Sequence, residues 1–360
     1  MKKYLALLLL FALLLTGCGR AEEPVTEPST EAPTIEATTE PTTEPTEPPT
    51  EPEPVYYNPL TGEEVDAPID RRVFAVSINN LQNAIPHYGV ADADIYWEMF
   101  VNGSIIRGLA MFADVSKVEA IGSVRSTRFM FSDIVTHYDA IVAHAGGSEM
   151  VLNDIYNRGI DGFNIDTADQ TDWSFRDRDR MSQGIGWEHC LFAKGAGLYP
   201  KAEERGIDIA QDTEKTYGLT FTEDGTPVNG ETANSVSITF TGYGRKGTTM
   251  VYDEALGKYV YNQYDMAMAD GITGEPEAFE NVVILFTPTY MIEKGYYRAG
   301  FGESGTGYYA CGGRIIPVNW TCAGETEPFV FTTTGGEPLD FGIGNTYIAV
   351  AHPDSPVVYE

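Results

Sequence analysis

The sequence predicts an α/β (α+β) N-terminal domain followed by a β-rich C-terminal domain, with a disordered N-terminal linker before both. Three observations carry this prediction. Residues 21–54 are almost entirely Glu, Pro, Thr and Ala, apolar strand-like and helix-like segments alternate between residues 73 and 158, and short apolar runs separated by Gly, Pro and Asn follow residue 230. These patterns are typical of disorder, of α/β layers and of β-rich domains, respectively. The predicted domains span residues 55–228 and 229–360.

The N-terminus has the pattern of a bacterial lipoprotein signal peptide. Lys2 and Lys3 precede an apolar run over residues 5–15, which is too short to span a bilayer comfortably. The following Leu-Thr-Gly-Cys, ending at Cys18, resembles the sequence that is cut before a lipidated cysteine. The alternative is an ordinary signal peptide with a cysteine there by chance. We expect residues 1–17 to be removed and fatty acids such as palmitate on Cys18 to anchor the chain to the extracytoplasmic face of the cell membrane.

Residues 18–54 form the predicted linker. Residues 21–54 contain ten Glu and nine Pro but no Lys or Arg. This composition offers too few apolar side chains to offset the entropy of ordering the chain. At about 3.1 Å per residue, such a Pro-rich segment could reach on the order of 100 Å. It is therefore either a stalk that lifts the folded part off the membrane or a simple spacer.

The folded part is strongly acidic. The whole chain has a formal charge of -30, and 43 acidic and 20 basic residues remain when the signal peptide and linker are set aside. An acidic surface repels nucleic acids and anionic lipid surfaces, so we expect no nucleic-acid partner. An anionic ligand would need a local cluster of basic residues.

In the first domain, apolar runs predict strands at residues 73–78, 93–101, 105–113 and 140–145. Asn102-Gly103 is a strong hairpin signal between the second and third of these strands. Ser126 is placed to cap a helix that runs to about His137. A second helix is predicted from about Glu149 to Arg158, ended by Gly159, and a short third one around residues 201–205.

The second domain has the turn-separated runs of a β-rich fold. Predicted strands cover residues 235–240, 248–252, 259–264, 282–288, 307–311, 315–321, 329–333 and 347–351. Gly312-Gly313 reads as a two-residue hairpin turn, which sets Cys311 opposite Arg314. Cys322 then lies about 26 Å away along the strand, so we expect no disulfide between Cys311 and Cys322. The sequence has no CxxC or HExxH motif, and we predict no metal site and no cofactor.

Several motifs resemble the YerB-like family of bacterial lipoproteins, which is built on a domain of unknown function. The similarity rests on the segments Asn58–Gly62, Ala93–Val101, Ile121–Arg128, His144–Ser148, Ser174–Arg180, Tyr264–Leu285 and Gly305–Gly313 together with Arg107, His189 and Trp320. The family usually has Glu at the position of Asn102, Pro at Ser123 and a small residue at Thr127, and Pro-His-Asn in place of residues 188–190. The resemblance implies an α/β domain followed by a β-rich domain, and it implies no established activity.

Arginines are concentrated in the first domain, where lysine is scarce. Arginine binds phosphate and carboxylate groups through two parallel hydrogen bonds. Arg125 and Arg128 flank a predicted helix N-terminus, which also favours anions, and His144 ends a strand before Gly146-Gly147. We predict an anion-binding or glycan-binding site formed by Arg107, Arg125, Arg128, Arg176, Arg180 and His144. The alternative is that these arginines form ion pairs with the abundant Asp and Glu.

The sequence leaves three functions open. The first is a binding or scaffolding module of the cell envelope that holds an anionic glycan or lipid-linked ligand. The second is an envelope-assembly enzyme, a transferase or hydrolase acting on a phosphate-containing lipid or glycan. The third is a structural interaction protein. No catalytic residue can be assigned, because the chain lacks a G-x-S-x-G motif and Ser148 is explained more simply as a helix cap.

Overall fold

A computed structural model describes residues 54–103, 105–241, 245–293 and 295–360. The predicted signal peptide, Cys18 and the predicted linker up to residue 53 lie outside the described residues. Within these ranges no helix is long and apolar enough to cross a membrane. The described chain consists mostly of strands with few helices, which confirms the predicted fold class.

The first predicted domain contains eleven strands and the four α-helices of the described chain. Its strands are β1 (Tyr56–Tyr57), β2 (Glu64–Val65), β3 (Phe74–Asn79), β4 (Ile95–Asn102), β5 (Ile105–Phe112), β6 (Ile121–Gly122), β7 (Ile141–His144), β8 (Gly162–Asn164), β9 (Ser174–Arg176), β10 (Leu191–Ala193) and β11 (Thr220–Thr222). Its helices are α1 (Phe129–Val135), α2 (Glu149–Asn157), α3 (Arg178–Ser182) and α4 (Gly195–Glu204). The predicted strands 73–78, 93–101, 105–113 and 140–145 are confirmed as β3, β4, β5 and β7.

The second predicted domain contains only strands among its described regular elements. They are β12 (Glu231–Thr232), β13 (Ser235–Thr241), β14 (Arg245–Asp253), β15 (Lys258–Gln263), β16 (Met266–Ala267), β17 (Ala278–Phe279), β18 (Asn281–Phe286), β19 (Thr289–Glu293), β20 (Tyr296–Ala299), β21 (Ser304–Cys311), β22 (Arg314–Cys322), β23 (Phe329–Thr333), β24 (Asp340–Gly342), β25 (Thr346–Ala351) and β26 (Val357–Tyr359). The β19–β20 hairpin was not predicted from the sequence.

One large sheet contains strands from both predicted domains. Its order is β12-β22-β21-β18-β25-β4-β5-β3-β7-β8, with β23 beside β22 and the β19–β20 hairpin attached to β4. β25 runs parallel to β4, with Tyr347 opposite Tyr96, so the two domains meet inside a continuous ladder. β7 and β8 run parallel to β3, and their carboxyl ends lie at the same edge of the sheet.

The large sheet is covered on both faces, since successive residues of its strands point to opposite faces and every residue of β3 and β25 is buried. A second sheet has the strand order β16-β15-β14-β13-β26. Its residues, such as Tyr261, form one core with Phe74, Val76 and Ile78 of β3. On the opposite face of the large sheet, Trp97 of β4 belongs to a second core that includes residues of α1. The arginines discussed below lie at the edge of this second core.

Helix α1 begins later than predicted, and the predicted cap at Ser126 is wrong. Arg128 occupies the N-cap position and no side chain caps the helix. The residues before it are extended because their backbone amides are used elsewhere: Val124 N–H donates to Leu191, Arg125 N–H to Ser77 and Thr127 N–H to Gly146. Segment 123–128 therefore joins neighbouring loops and strands instead of starting the helix.

The other two helix predictions had different outcomes. The prediction for α2 is confirmed: Ser148 accepts a hydrogen bond from Val151 N–H, and Gly159 adopts a left-handed conformation just after the helix. The predicted helix at 201–205 is too short, since α4 begins at Gly195. Gly195 and Gly197 weaken the helical pattern of the sequence, and a Cβ at Gly197 would lie 2.0 Å from the carbonyl oxygen of Asp172.

The cysteine prediction is confirmed. Cys311 lies opposite Arg314 across the turn between β21 and β22, and Cys190, Cys311 and Cys322 are buried free thiols. Burial raises the pKa of all three thiols, that of Cys311 to about 12. These cysteines are therefore poor nucleophiles at neutral pH.

Candidate functional site

The candidate site lies at one edge of the large sheet, on the face that α1 covers. Asn79 of β3 pairs with Arg107 of β5, and Val76 pairs with Ala143 of β7. Because side chains alternate between the two faces of a sheet, Asn79 and Arg107 share one face, and His144 lies on it too. Asn79 and His144 are the last residues of their strands, and Arg107 lies near the start of the antiparallel β5, so all three are at the same end of the sheet.

Segment 123–128 supplies a backbone acceptor above this face. The carbonyl oxygen of Ser126 accepts hydrogen bonds from Ser77 Oγ, Arg107 Nη1 and Arg128 Nη1. Two guanidinium groups from different elements therefore converge on one carbonyl oxygen. A carbonyl carries only a partial negative charge, so it does not neutralise them.

Arg107, Arg125 and Arg128 form no ion pair within the described ranges of the chain. Arg107 is 2% exposed, and its hydrogen bond to Ser126 is the one described for its side chain. Arg128 donates to Asn102 Oδ1 at 3.0 Å and to the Thr127 carbonyl at 2.7 Å. Arg125 is half-buried and donates to the backbone carbonyl of Glu188 rather than to its carboxylate.

The electrostatics of Arg107 and Arg128 show a positive charge on which no described carboxylate acts, whereas Glu188 and Asp166 attract Arg125. Burial, with smaller contributions from Arg128 and Arg125, lowers the pKa of Arg107 to about 8. Burial also lowers the pKa of Arg128 to about 10 and lowers that of Arg125. All three are still protonated at pH 7, but their charged forms are disfavoured. An anion placed among them would reverse this shift.

Several buried polar atoms around the arginines have no hydrogen-bond partner among the described residues. They are Arg107 Nε, Arg125 Nε, Thr127 Oγ1, His144 Nδ1 and Asn79 Oδ1. Most buried polar groups in proteins are paired, and leaving one unpaired costs roughly 1–3 kcal/mol. These five atoms are grouped around the arginines at one edge of the sheet.

Arg176 and Arg180 do not join the group formed by Arg107, Arg125 and Arg128. Arg176 forms an ion pair with Asp166, donates to the Trp187 carbonyl at 2.7 Å and stacks on the Trp187 ring. Arg180 donates to the backbone carbonyls of Ala84, Pro86 and His189. Both guanidinium groups therefore hold neighbouring loops, and Arg176 acts on the site through its repulsion of Arg125.

His144 lies close to segment 123–128 but is not a cation. It is 5% exposed, and burial lowers its pKa to about 4. The adjoining backbone is tied to the arginine segment, since Ala145 N–H donates to the Arg125 carbonyl and Thr127 N–H to the Gly146 carbonyl. A neutral imidazole can contribute one hydrogen bond to a ligand, but no charge.

Sequence reasoning missed the uncharged members of the group, Ser77, Asn79 and Thr127. A signal existed in the run Ala75–Asn80, where apolar residues end in Ser-Ile-Asn-Asn at the end of a strand. Polar residues that end a buried strand of an α/β sheet commonly face a ligand site. No group of three His, Cys, Asp or Glu side chains in the described part of the chain could hold a metal ion.

Comparison with known proteins identifies the family. Residues 60–208 match the family described as "Protein of unknown function (DUF3048) N-terminal domain", and residues 236–348 match its C-terminal domain. The chain belongs to the DUF3048 family. Both matches agree with the order of domains expected from the sequence motifs.

The chain is also similar to one named relative and to one solved structure. The chain is 27% identical over 303 residues to "Putative lipoprotein YerB" of Bacillus subtilis (strain 168), covering 82% of this chain and 86% of the relative. It also resembles the crystal structure of YerB protein from Bacillus subtilis, with a TM-score of 0.72 and 24% identity over 84% of this chain and 99% of that one. The structural similarity supports the fold, and the family description names no activity.

Proposed function

We propose that this protein is a membrane-anchored lipoprotein of the cell envelope that binds an anionic ligand at Arg107, Arg125 and Arg128. The observation that carries this proposal is that the buried Arg107 and Arg128 and the half-buried Arg125 are neighbours and form no ion pair in the described part of the chain. Burying a charge without a partner is costly, and an acidic chain has many carboxylates available to avoid it.

The treatment of other arginines in the same chain supports this reading. Arg72 pairs with Asp139 at 2.9 Å and with Asp161 at 2.7 Å. Arg158 pairs with Asp133 at 3.0 Å. The fold therefore supplies carboxylates to these two structural arginines, whereas the hydrogen bonds described for Arg107 and Arg128 go to carbonyl and amide oxygens.

The charge of the site indicates the chemistry of the ligand. Three guanidinium groups with only carbonyl and amide acceptors favour a group with more than one negative charge, such as a phosphate or pyrophosphate. An anionic glycan or a lipid-linked phosphate provides such a group at a bacterial membrane surface. Binding of this kind makes the protein a binding or scaffolding module, and no enzymatic step is required.

The N-terminal sequence and the relative support the location that we propose for the protein. A relative described as a lipoprotein and the Leu-Thr-Gly-Cys sequence ending at Cys18 support a lipid anchor on this chain. Export by the signal peptide puts the folded part on the extracytoplasmic face of the membrane. An anion site held there would meet envelope components rather than nucleotides of the cytoplasm.

Arg125→Ala is the variant that tests the site, because Arg125 is half-buried and has one described hydrogen bond. We expect inorganic pyrophosphate to raise the melting temperature of the wild type and to bind measurably by calorimetry. Arg125→Ala should weaken this binding by roughly 1.5–3 kcal/mol, the scale of a charge-assisted hydrogen bond. Its melting temperature without ligand should change little, since no buried carboxylate loses a partner.

Arg178→Ala is the matched control, because it removes the same charge from an exposed arginine of the same domain. It should leave pyrophosphate binding close to that of the wild type. The proposal fails if the wild type shows no shift with pyrophosphate, or if the two variants weaken binding equally. In the second case the effect would come from net charge alone.

A further inference from the structure

An exposed tryptophan borders the proposed anion site. Of the four tryptophans, Trp97 and Trp320 are buried and Trp173 is partly buried, whereas Trp187 is 46% exposed. It belongs to the single helical turn Trp187–His189. Tryptophan side chains are highly buried on average, so an indole with this exposure leaves an unusually large apolar surface in water.

The Trp187 turn is bonded to two arginines, one of which belongs to the anion site. The carbonyl oxygen of Trp187 accepts a hydrogen bond from Arg176 Nη1 at 2.7 Å, and that of Glu188 accepts one from Arg125 Nη1 at 3.2 Å. Burial and the repulsion of Arg176 both lower the pKa of Arg125, so the two guanidinium groups are close to each other. Because the indole ring stacks on Arg176, it lies next to Arg125.

The indole ring of Trp187 is held in one orientation. The guanidinium carbon of Arg176 lies 3.8 Å from the centre of the ring. Arg176 is itself fixed, since it pairs with Asp166 and donates to the Thr167 carbonyl at 3.1 Å. A side chain that is already ordered loses little conformational entropy when a ligand packs on it. The exposed part of the ring is therefore a rigid surface for the apolar face of a ligand.

The polar groups beside the ring are accessible. Arg125 is half-buried, and no described residue accepts a hydrogen bond from its Nη2. The side chain of Glu188 is 52% exposed, and its carboxylate lies 3.8 Å from His189 Nε2. A guanidinium N–H donates to the oxygens of an anion, whereas a carboxylate accepts hydrogen bonds from hydroxyl groups. An anionic group and a hydroxyl group can therefore both be bound beside the indole.

We infer that Trp187 is a further binding residue of the anion site, and that the ligand is a sugar phosphate whose ring packs on the exposed indole. The phosphate accepts a hydrogen bond from Arg125 Nη2, and a sugar hydroxyl donates to the Glu188 carboxylate. A sugar ring fits this surface because its C–H groups form an apolar face while its hydroxyls donate and accept hydrogen bonds. The inference rests on the proposed function, since the arginines of that site hold the phosphate.

Glucose 1-phosphate and methyl phosphate test the contribution of the ring, because both are phosphate monoesters and one of them has a sugar ring. Calorimetry on the full chain should give an affinity for glucose 1-phosphate at least about threefold higher, the scale of one aromatic contact. Glucose 1-phosphate should also shift the tryptophan emission to shorter wavelength, since Trp187 is the most exposed indole. Methyl phosphate should not.

Trp187→Ala should lower the affinity for glucose 1-phosphate to that for methyl phosphate and leave methyl phosphate binding unchanged. Trp187→Phe should retain most of the difference, because it keeps an aromatic ring. Glu188→Ala should reduce the difference, because the acceptor for the sugar hydroxyl is lost. Tyr57→Ala, at an aromatic residue that is 59% exposed, is the matched control and should keep the full difference.

Equal affinity of the wild type for both monoesters overturns the inference. So does an equal loss of both ligands in Trp187→Ala, because the ring would then act only by holding Arg176. Either result leaves the anion site standing, whereas a wild type that binds neither pyrophosphate nor the monoesters removes the anion site as well. Should Trp187→Ala fail to fold, the comparison of the two monoesters in the wild type and in Trp187→Phe still decides.

Discussion

Arg72 and Arg107 are both buried, yet different groups accept their hydrogen bonds. Arg72 donates to the carboxylates of Asp139 and Asp161, whereas Arg107 donates to the backbone carbonyl of Ser126. Arg158 and Arg128 differ in the same way. Arg158 donates to the carboxylate of Asp133, whereas Arg128 Nε donates to the amide oxygen of Asn102. An amide oxygen accepts a hydrogen bond but carries no negative charge. At the scale of single residues, Asn102 therefore leaves the positive charge of Arg128 without a counter-charge.

Asn102→Asp should therefore convert Arg128 from a ligand-binding group into a structural one. The new carboxylate lies 3.0 Å from Arg128 Nε, and a charge-assisted pair at this partly buried position should raise the free energy of unfolding by about 1 kcal/mol. Pyrophosphate affinity should fall about tenfold, because the ligand now competes with a fixed anion. Urea unfolding and calorimetry measure both effects.

Asn229→Asp, which adds the same charge at an exposed position, is the control for net charge. It should change neither quantity by more than a few tenths of a kcal/mol. If Asn102→Asp destabilises the protein without altering pyrophosphate binding, Asn102 does not control the charge of the site.

At the scale of elements, local signals predicted strands better than helix starts. Asn102-Gly103 and Gly312-Gly313 identified their hairpins because such turns need residues that tolerate positive φ. Ser126 was misread because its segment bonds to β3, to Leu191 and to Gly146, which are distant in sequence. The same long-range bonds bring Arg107 and Arg128 onto one carbonyl. Which of the arginines lie together could therefore not be predicted from the sequence, because that depends on bonds between distant segments.

The end of α1 gives an element-scale prediction about pH. His137 follows α1, is 3% exposed and bonds to the Glu327 carbonyl, and burial lowers its pKa to about 4. A histidine whose folded pKa lies below its unfolded value of about 6.5 takes up a proton in the unfolded state first. Its contribution to stability is therefore lost as pH falls from about 6.5 towards 4.

Urea unfolding at pH 7 and pH 5 measures this loss. His137 should contribute about 2 kcal/mol to the difference, and His137→Asn should remove that part of the pH dependence. Asp133 acts in the opposite direction, since its pKa is raised to about 7, so the comparison is made between variants rather than from the wild type alone. Equal pH dependence in wild type and His137→Asn would contradict the assignment.

At the scale of the whole molecule, β4 joins the two predicted domains. It pairs with β5 of the first and with β25 of the second, and the described residues from 54 onwards belong to one compact unit. Glu98 on β4 is fully buried and accepts hydrogen bonds from Asn80 of the first domain and from Thr248, Tyr261, Gln263 and Tyr347 of the second. The change in sequence pattern near residue 230 marks a change in local structure. It gave no sign of this shared sheet, because strand pairing between distant segments leaves no local pattern.

Because Glu98 is bonded to both domains, Glu98→Gln should destabilise both to the same extent. The amide nitrogen replaces an acceptor that several buried donors share, which should cost roughly 3 kcal/mol or more. Native-state hydrogen exchange can follow β5 and β7 in one domain and β21 and β22 in the other. We expect the slowest amides of both groups to lose protection equally, with a single calorimetric transition at a lower temperature. Glu254→Gln, at an exposed position of the second domain, should change neither. Loss of protection confined to β21 and β22 would mean that the domains unfold separately, and that the ladder between β4 and β25 does not couple them.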